Sequence, residues 1–312
     1  MNKFEFSLDN KRYHTLNYYY KNKYNSKVFK VSLNGGFTCP NIDGTSGFGG
    51  CSFCNKEGAG EYAGNVEDDV TTQFYKIKEI MHKKWPTAKY IGYFQARTNT
   101  HAPVEKLKEL YEPILKIPNV VGLNISTRPD AISKECLDYL EELSKRTDLT
   151  IELGLQSIKE ETNQLINRCH TLECFDNMVK ELRKKNITTI VHIINGLPYE
   201  TLEDMLNTAK HLNKLDIQGI KIHMLSITKD TKLSRLYQEK PFYILSKEEY
   251  IKTVVEQLKY LRKEIVIHRI TGDPKLEDLI EPTWLTKKFC VLNDIDKEMN
   301  KQNTYQGEYI KD

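Results

Sequence analysis

Short apolar runs alternate with longer amphipathic segments along most of the chain. The runs are apolar almost throughout, as expected for parallel strands covered on both faces. They predict strands at 28–33, 90–95, 120–126, 150–156, 189–196 and 219–225. Charged segments with helical spacing follow them and predict helices near 67–84, 103–116, 133–146, 171–185, 200–214 and 246–263. Consecutive βα units of this kind indicate a parallel sheet that is either doubly wound or curved into part of a barrel.

Polar and glycine-rich residues follow the predicted strands, and this placement favours the barrel. A cysteine-containing loop follows the first strand, Gln95 ends the second, and the sequence TRPD at 127–130 follows the third. Barrel active sites are built at the carboxyl ends of the strands. We therefore predict an α/β fold, a partial (β/α)6 TIM-like barrel over residues 28–264. We expect a basic, tyrosine-rich extension at 1–27 and an irregular extension at 265–312 that packs across one end.

The composition is that of a soluble globular protein, since 39% of the 312 residues are hydrophobic and 29% are charged. No apolar run reaches the ~18 residues of a membrane helix, and the amino terminus lacks the apolar segment of a signal peptide. Seven cysteines, unevenly spread, do not resemble a disulfide framework. We expect a cytoplasmic protein without a membrane partner. The lysines and tyrosines near the amino terminus either bind single-stranded RNA or form a solvated segment whose tyrosines pack on the domain.

Three cysteines in one short loop, Cys39, Cys51 and Cys54, are the main chemical signal. Thiolates at this spacing converge on a metal or an iron–sulfur cluster, and a closed zinc site requires four ligands. A [4Fe–4S] cluster held by three cysteines keeps one iron open for a small molecule. The alternative is a zinc ion with His101 or Asp43 as the fourth ligand. The remaining cysteines are too scattered to indicate a second cluster.

The loop and the βα units together resemble the radical SAM superfamily. The CxxC at 51–54 matches the end of the superfamily's cluster motif, while the gap from Cys39 to Cys51 is wider than usual. That spacing resembles the YhcC/YtqA group, which is related to the catalytic subunit of the Elongator complex. Further similarities are TRPD, ELGLQS at 152–157 and NRCHT at 167–171. The resemblance covers nearly the whole chain and implies a barrel of the radical SAM type.

The resemblance implies a role for each of several residues. Cys39, Cys51 and Cys54 would hold the [4Fe–4S] cluster, whose open iron would bind S-adenosyl-L-methionine and yield a 5′-deoxyadenosyl radical. The superfamily's GGE motif is absent. The predicted contacts to the cofactor's methionine and adenine groups are Gln95, Thr98, Asn99, Arg168 and the backbone of Gly196, Leu197 and Pro198.

Other polar residues in the predicted strands leave alternatives open. Arg128 and Glu152 either contact the cofactor or form a buried ion pair that braces the barrel. Gln156 ends a strand and is predicted to belong to the site. Lys221 and His223 share a strand face and are the predicted catalytic residues, because a lysine inside a strand is costly to bury without a partner. His192 is a weaker candidate.

Group membership implies a tRNA substrate. The expected target is the C5 side chain of the wobble uridine, remodelled from carboxymethylaminomethyl to aminomethyl, upstream of a methyltransferase. An electron donor such as flavodoxin or ferredoxin is also implied. Two alternatives remain, namely a radical SAM enzyme acting on a small metabolite or peptide, and a non-enzymatic zinc-dependent RNA-binding protein.

Overall fold

The computed structural model describes residues 4–7, 9–58 and 60–310. Within these ranges, seven parallel strands form one sheet and lie in it in the order of the chain. The strands are β1 (Val28–Leu33), β2 (Lys89–Phe94), β3 (Val120–Thr127), β4 (Asp148–Gln156), β5 (Thr188–Asn195), β6 (Gly219–Met224) and β8 (Val266–Arg269). A short antiparallel pair, β7 (Ile227–Thr228) and β9 (Leu279–Glu281), lies outside this sheet. The sheet curls into a partial barrel, so the predicted fold class is confirmed.

Helices cover the outside of the sheet and connect its strands. They are α1 (Leu16–Tyr24), α2 (Val70–Lys84), α3 (Val104–Leu115), α4 (Lys134–Ser144), α5 (Glu160–Leu165), α6 (Leu172–Lys184), α7 (Leu202–Leu212), α8 (Lys232–Glu239), α9 (Lys247–Tyr260) and α10 (Lys288–Lys301). Several begin at a polar N-cap whose side chain accepts a backbone N–H, including Asp69, Ser133, Thr171 and Ser246. Such caps satisfy amide groups that the first helical turn leaves unpaired. No helix in the described part of the chain has the length and apolarity needed to cross a bilayer.

The seventh strand lies in the segment predicted to be irregular. β8 pairs with β6 in parallel, so the sheet extends past residue 264. The strand contains only four residues, which is too few for a periodic pattern to show in the sequence. It is also supported from outside the sheet, because the Gln306 side chain donates to the carbonyls of Arg262 and Ile265. The chain after α9 is therefore part of the barrel wall rather than only a cover.

The tyrosines of the amino-terminal segment pack on the domain. Tyr13 and Tyr20 are buried, and Tyr24 donates a hydrogen bond to Asp148. Thr15 forms a parallel bridge with Ile267 of β8, so this segment lies along the edge of the sheet. The alternative in which the tyrosines pack on the domain fits this arrangement, because buried rings are not available to stack on bases.

Candidate active site

A cavity of about 430 Å³ opens at the carboxyl ends of the strands. It is lined by Cys39, Cys51 and Cys54 from the loop after β1 and by residues that end or follow β2, β3, β4, β6 and β8. A separate cavity of about 560 Å³ at the opposite end is lined by His14, Tyr20 and others, and no cysteine is among its lining residues in the described chain. Because the thiols and the strand-end polar residues meet at the first cavity, the candidate chemistry belongs there.

The cysteine loop has an irregular backbone fixed by local hydrogen bonds. The carbonyl of Cys39 accepts from the amides of Ile42 and Asp43, and the amide of Cys54 donates to the carbonyl of Cys51. Gly50 precedes Cys51 with a φ of +73°, a conformation that favours glycine. These turns bring three cysteines that are up to 15 positions apart in sequence to one wall of the cavity.

The donor set fits an iron–sulfur cluster. Burial and the neighbouring thiols of Cys51 and Cys39 raise the pKa of Cys54 to about 12, and burial raises the pKa of Cys51. Thiolates are the metal-binding form, so positive metal charge is needed to hold these sulfurs deprotonated. In the described part of the chain, no group of three or more His, Cys, Asp or Glu side chains is placed to hold a single metal ion.

The proposed fourth zinc ligands are engaged elsewhere. His101 Nε2 lies 2.9 Å from Asp43 Oδ2, and neither residue is among those lining the cavity. Their mutual hydrogen bond gives both side chains a partner that does not involve the cysteines. The position of this pair gives no support to a four-ligand zinc site.

Below the cavity, Glu152 of β4 lies at the centre of a buried polar network. Its carboxylate is fully buried and accepts hydrogen bonds from side chains of five other strands of the sheet. The donors are Lys30 at 2.8 Å, Tyr93 at 2.8 Å, Asn124 at 2.8 Å, His192 at 2.9 Å and Lys221 at 2.5 Å. The network joins the inward faces of β1 to β6 and satisfies the carboxylate, as a buried charge requires.

The network sets the charge states of its members. Burial raises the pKa of Glu152, but the cations of Lys221 and Lys30 outweigh burial and hold the pKa well below its usual range. Burial, with Lys30 and Arg269 nearby, lowers the pKa of Lys221 to about 7. Burial also lowers the pKa of His192 to about 4. Glu152 is therefore the negative centre of the barrel, and Lys221 and Lys30 are its counterions.

The predicted catalytic residues both line the cavity. Lys221 Nζ donates to Glu152 and, at 2.9 Å, to Tyr93 Oη, which leaves one of its three N–H donors for a ligand. His223 lies beside His192, with ring centroids 5.3 Å apart. Its Nε2 is buried without a partner among the described residues. Both side chains thus have bonding capacity that a bound molecule can use.

Five of the predicted cofactor contacts line the cavity, namely Gln95, Thr98, Arg128, Gln156 and Arg168. Gln156 has a φ of +62°, a conformation rare for a residue other than glycine and one that functional sites often retain. Arg128 pairs with Asp130 at 2.8 Å. Arg168 donates to the carbonyls of Leu155, Ser157 and His170. Both arginines are held in place by the protein, so their predicted contacts to the cofactor stay predictions.

The other predicted cofactor contacts do not line the cavity. They are Asn99, Glu152, Gly196, Leu197 and Pro198. Asn99 is buried and donates to the Ser126 carbonyl at 2.8 Å, which fixes the loop after β2. Leu197 packs in a small apolar cluster with Ile166 and Leu225. These residues lie behind the cavity wall and support it. Because residues 196–198 do not line the cavity, their predicted contact to the adenine stays a prediction.

Sequence reasoning missed two residues of β8, His268 and Arg269. Arg269 lines the cavity, and His268 Nδ1 lies 3.5 Å from Lys30 Nζ. A signal was present, because the apolar run at 265–267 is followed directly by these polar residues. The same apolar-then-polar order marks the ends of the other strands.

The comparisons with known proteins decide the family. The superfamily model described as radical SAM matches residues 46–212, and the radical SAM C-terminal domain model matches residues 217–301. The chain belongs to the radical SAM superfamily. It is 48% identical over 310 residues to "Uncharacterized protein YtqA" of Bacillus subtilis, covering 99% of this chain and 96% of that protein. The predicted resemblance is confirmed, and the cofactors of this radical SAM protein are a [4Fe–4S] cluster and S-adenosyl-L-methionine.

More distant matches extend the comparison. The archaeal Elp3 structure from Methanocaldococcus infernus superposes with a TM-score of 0.67 at 18% identity, covering 90% of this chain and 64% of that one, and shares the fold. A Methanocaldococcus infernus protein named tRNA uridine(34) acetyltransferase is 22% identical over 220 residues, which are 70% of this chain and 40% of that protein.

Proposed function

We propose that this radical SAM enzyme acts in the cytoplasm on tRNA, converting the carboxymethylaminomethyl side chain at C5 of the wobble uridine to aminomethyl. The observation that carries the proposal is the joint placement of three thiols, Lys221 and His223 on one open cavity. The likeness to a protein named tRNA uridine(34) acetyltransferase supports uridine at the wobble position as the target. An electron donor such as flavodoxin or ferredoxin and a downstream methyltransferase complete the proposed pathway.

The cavity suits a nucleotide turned out of an RNA loop. Enzymes that modify a base must receive it unstacked, in a pocket that reads its edges. At about 430 Å³ the cavity is of the size that ligand sites usually have. Exposed aromatic side chains occur in the cysteine loop, where Phe48 is 77% exposed, and such rings can stack on flanking bases.

The residues of this chain would bind and orient the groups around the reacting carbon. Cys39, Cys51 and Cys54 would hold the cluster, which with S-adenosyl-L-methionine supplies the radical chemistry when bound. Lys221 Nζ, anchored by Glu152 and Tyr93, can donate its remaining N–H to the substrate. His223 Nε2 can form a further hydrogen bond, because it has no partner among the described residues.

The test compares wobble nucleosides by mass spectrometry in a wild-type strain and in a strain lacking the gene. Deletion is expected to accumulate the carboxymethylaminomethyl nucleoside and to deplete nucleosides that derive from aminomethyl uridine. A wild-type copy should restore the profile, and a matched Cys54→Ser copy should not, because it lacks a cluster ligand. Unchanged nucleosides in the deletion strain would contradict the proposal and direct attention to a small metabolite or a peptide.

A further inference from the structure

Among the cations that line the cavity in the described chain, Arg269 differs from the others in its bonding. The arginines and lysines lining the cavity within the described chain are Arg97, Arg128, Arg168, Lys221 and Arg269. The first three bond to backbone carbonyls or to Asp130, and Lys221 bonds to Glu152. The Arg269 guanidinium has no hydrogen bond or ion pair with any described residue. Its N–H donors are therefore available to a ligand.

A change of strand register places the exposed residue Arg269 on the same face of the sheet as Lys221. Ile220 of β6 pairs with Ile267 of β8, but the next residue, Lys221, pairs with Arg269 rather than with His268. In a regular strand, successive side chains point to opposite faces, so an unshifted register would turn Arg269 away from Lys221. Irregularities of this kind re-aim side chains next to active sites. The shift places two consecutive residues, His268 and Arg269, on the barrel side.

The surroundings of Arg269 favour an anion. Its charge acts on Tyr93, Lys221 and His223, so it lies beside the predicted catalytic residues. The acids that line the same cavity are Glu61 and Asp273, and they bond to Asn55 and Lys288 respectively. A guanidinium with unused donors, next to a lysine with one unused donor, matches the geometry of a carboxylate.

We propose that Arg269 binds the carboxylate of the carboxymethylaminomethyl side chain and thereby makes the enzyme selective for the carboxylate-bearing nucleoside. This inference rests on the proposed function and deepens it, because the carboxylate is what distinguishes the substrate from the aminomethyl product. Lys221 lies across the register from Arg269 and can contribute a second donor to the same group. The product lacks the carboxylate, so it is held less tightly and can leave.

The test measures the affinity of cluster-loaded protein for two anticodon stem-loop RNAs that differ only in the wobble side chain, carboxymethylaminomethyl or aminomethyl. Wild-type protein is expected to prefer the first RNA. Arg269→Gln should weaken that complex by about tenfold or more, as the loss of charge-assisted hydrogen bonds implies, and should leave the second complex nearly unchanged. Arg269→Lys should keep part of the preference. Since Arg269 bonds to no described residue, the visible absorption of the cluster should persist in both variants.

Arg235 on α8 is the matched control, because it is exposed and is not among the residues lining the cavity. Arg235→Gln is expected to leave the ratio of the two affinities at the wild-type value. An Arg269→Gln protein that keeps the preference would overturn the inference, and so would equal weakening of both complexes, which would indicate a phosphate contact. Failure of the wild-type enzyme to convert the modified RNA would instead refute the proposed function and remove the inference that rests on it.

Discussion

The barrel interior and the cysteine loop meet at one cavity but are stabilised in different ways. In the interior, the Glu152 carboxylate is charged and fully buried, and side chains from five other strands donate hydrogen bonds to it. In the loop, burial raises the pKa of the thiols of Cys51 and Cys54, and the charges of Arg128 and Arg97 are too weak to offset burial. The interior contains its own counterions, whereas the loop depends on a metal cluster. The barrel is thus expected to fold before the cluster binds.

Removing one cysteine separates the two regions most clearly. Cys54→Ser is expected to abolish cluster binding, because three thiolates are needed to hold the cube. The purified protein should lose the brown absorption and nearly all of the about four irons of a [4Fe–4S] cluster. Its far-ultraviolet circular dichroism should remain that of an α/β protein. Cys290→Ser provides the control, since this thiol is exposed on α10.

The opposite result is informative. A Cys54→Ser protein that unfolds would show that the metal supports the fold, as a structural zinc site does. Stoichiometric zinc in a colourless wild-type preparation would have the same meaning.

The interior is tested by removing its negative charge. Glu152→Gln leaves Lys30 and Lys221 buried without a counterion, and breaking a buried ion pair from one side typically costs about 3–5 kcal/mol of unfolding free energy. Urea denaturation measures the loss, and Glu109→Gln, which breaks an exposed pair with Lys106, should change little. If Glu152→Gln lost the cluster but kept its unfolding free energy, the result would show that the buried network stabilises the cysteine loop rather than the barrel.

The sequence predicted more of the structure in some parts of the two regions than in others. The strands and the cysteine triad were predictable because each has a local signal, an apolar run or a CxxC spacing. The strand β8 was harder to predict, because its local signal is a short apolar run at 265–267 and its partners, Gln306 and the amino-terminal segment, are distant in the chain. Long polar side chains were the least predictable. The NRCHT motif predicted that Arg168 belongs to the site. Its bonds to backbone carbonyls were not predictable, because they depend on how separate segments of the chain pack together.

The register shift that places Arg269 on the sheet face of Lys221 illustrates the same limit. A shift of one residue has no signature in either strand alone, because it concerns how β6 and β8 align. The candidate site was therefore predictable where one segment supplies it and unpredictable where the pairing of two segments supplies it.

The smallest and most selective of the expected effects concerns how the unfolding free energy changes with pH in acid solution. In the folded protein the pKa of His192 is lowered, first by burial and then by Lys221, from 6.5 to about 4. Between these values the unfolded chain binds a proton that the folded chain does not, so stability rises with pH across this window. Glu152, whose pKa is lowered, acts in the same direction. His192→Gln should reduce the slope by up to about 1.4 kcal/mol per pH unit, because one titrating group is removed.

The measurement is urea denaturation at several pH values within that window, in a Cys54→Ser background so that acid loss of iron does not contribute. The Cys51 thiol that remains in the loop does not interfere, because burial raises its pKa above 9.0 and it affects stability only in alkaline solution. The acid slope therefore reports on the interior alone. An unchanged slope in His192→Gln would mean that the ring is already protonated in the folded protein. The interior would then carry an additional positive charge, and Glu152 would be balanced by three cations rather than two.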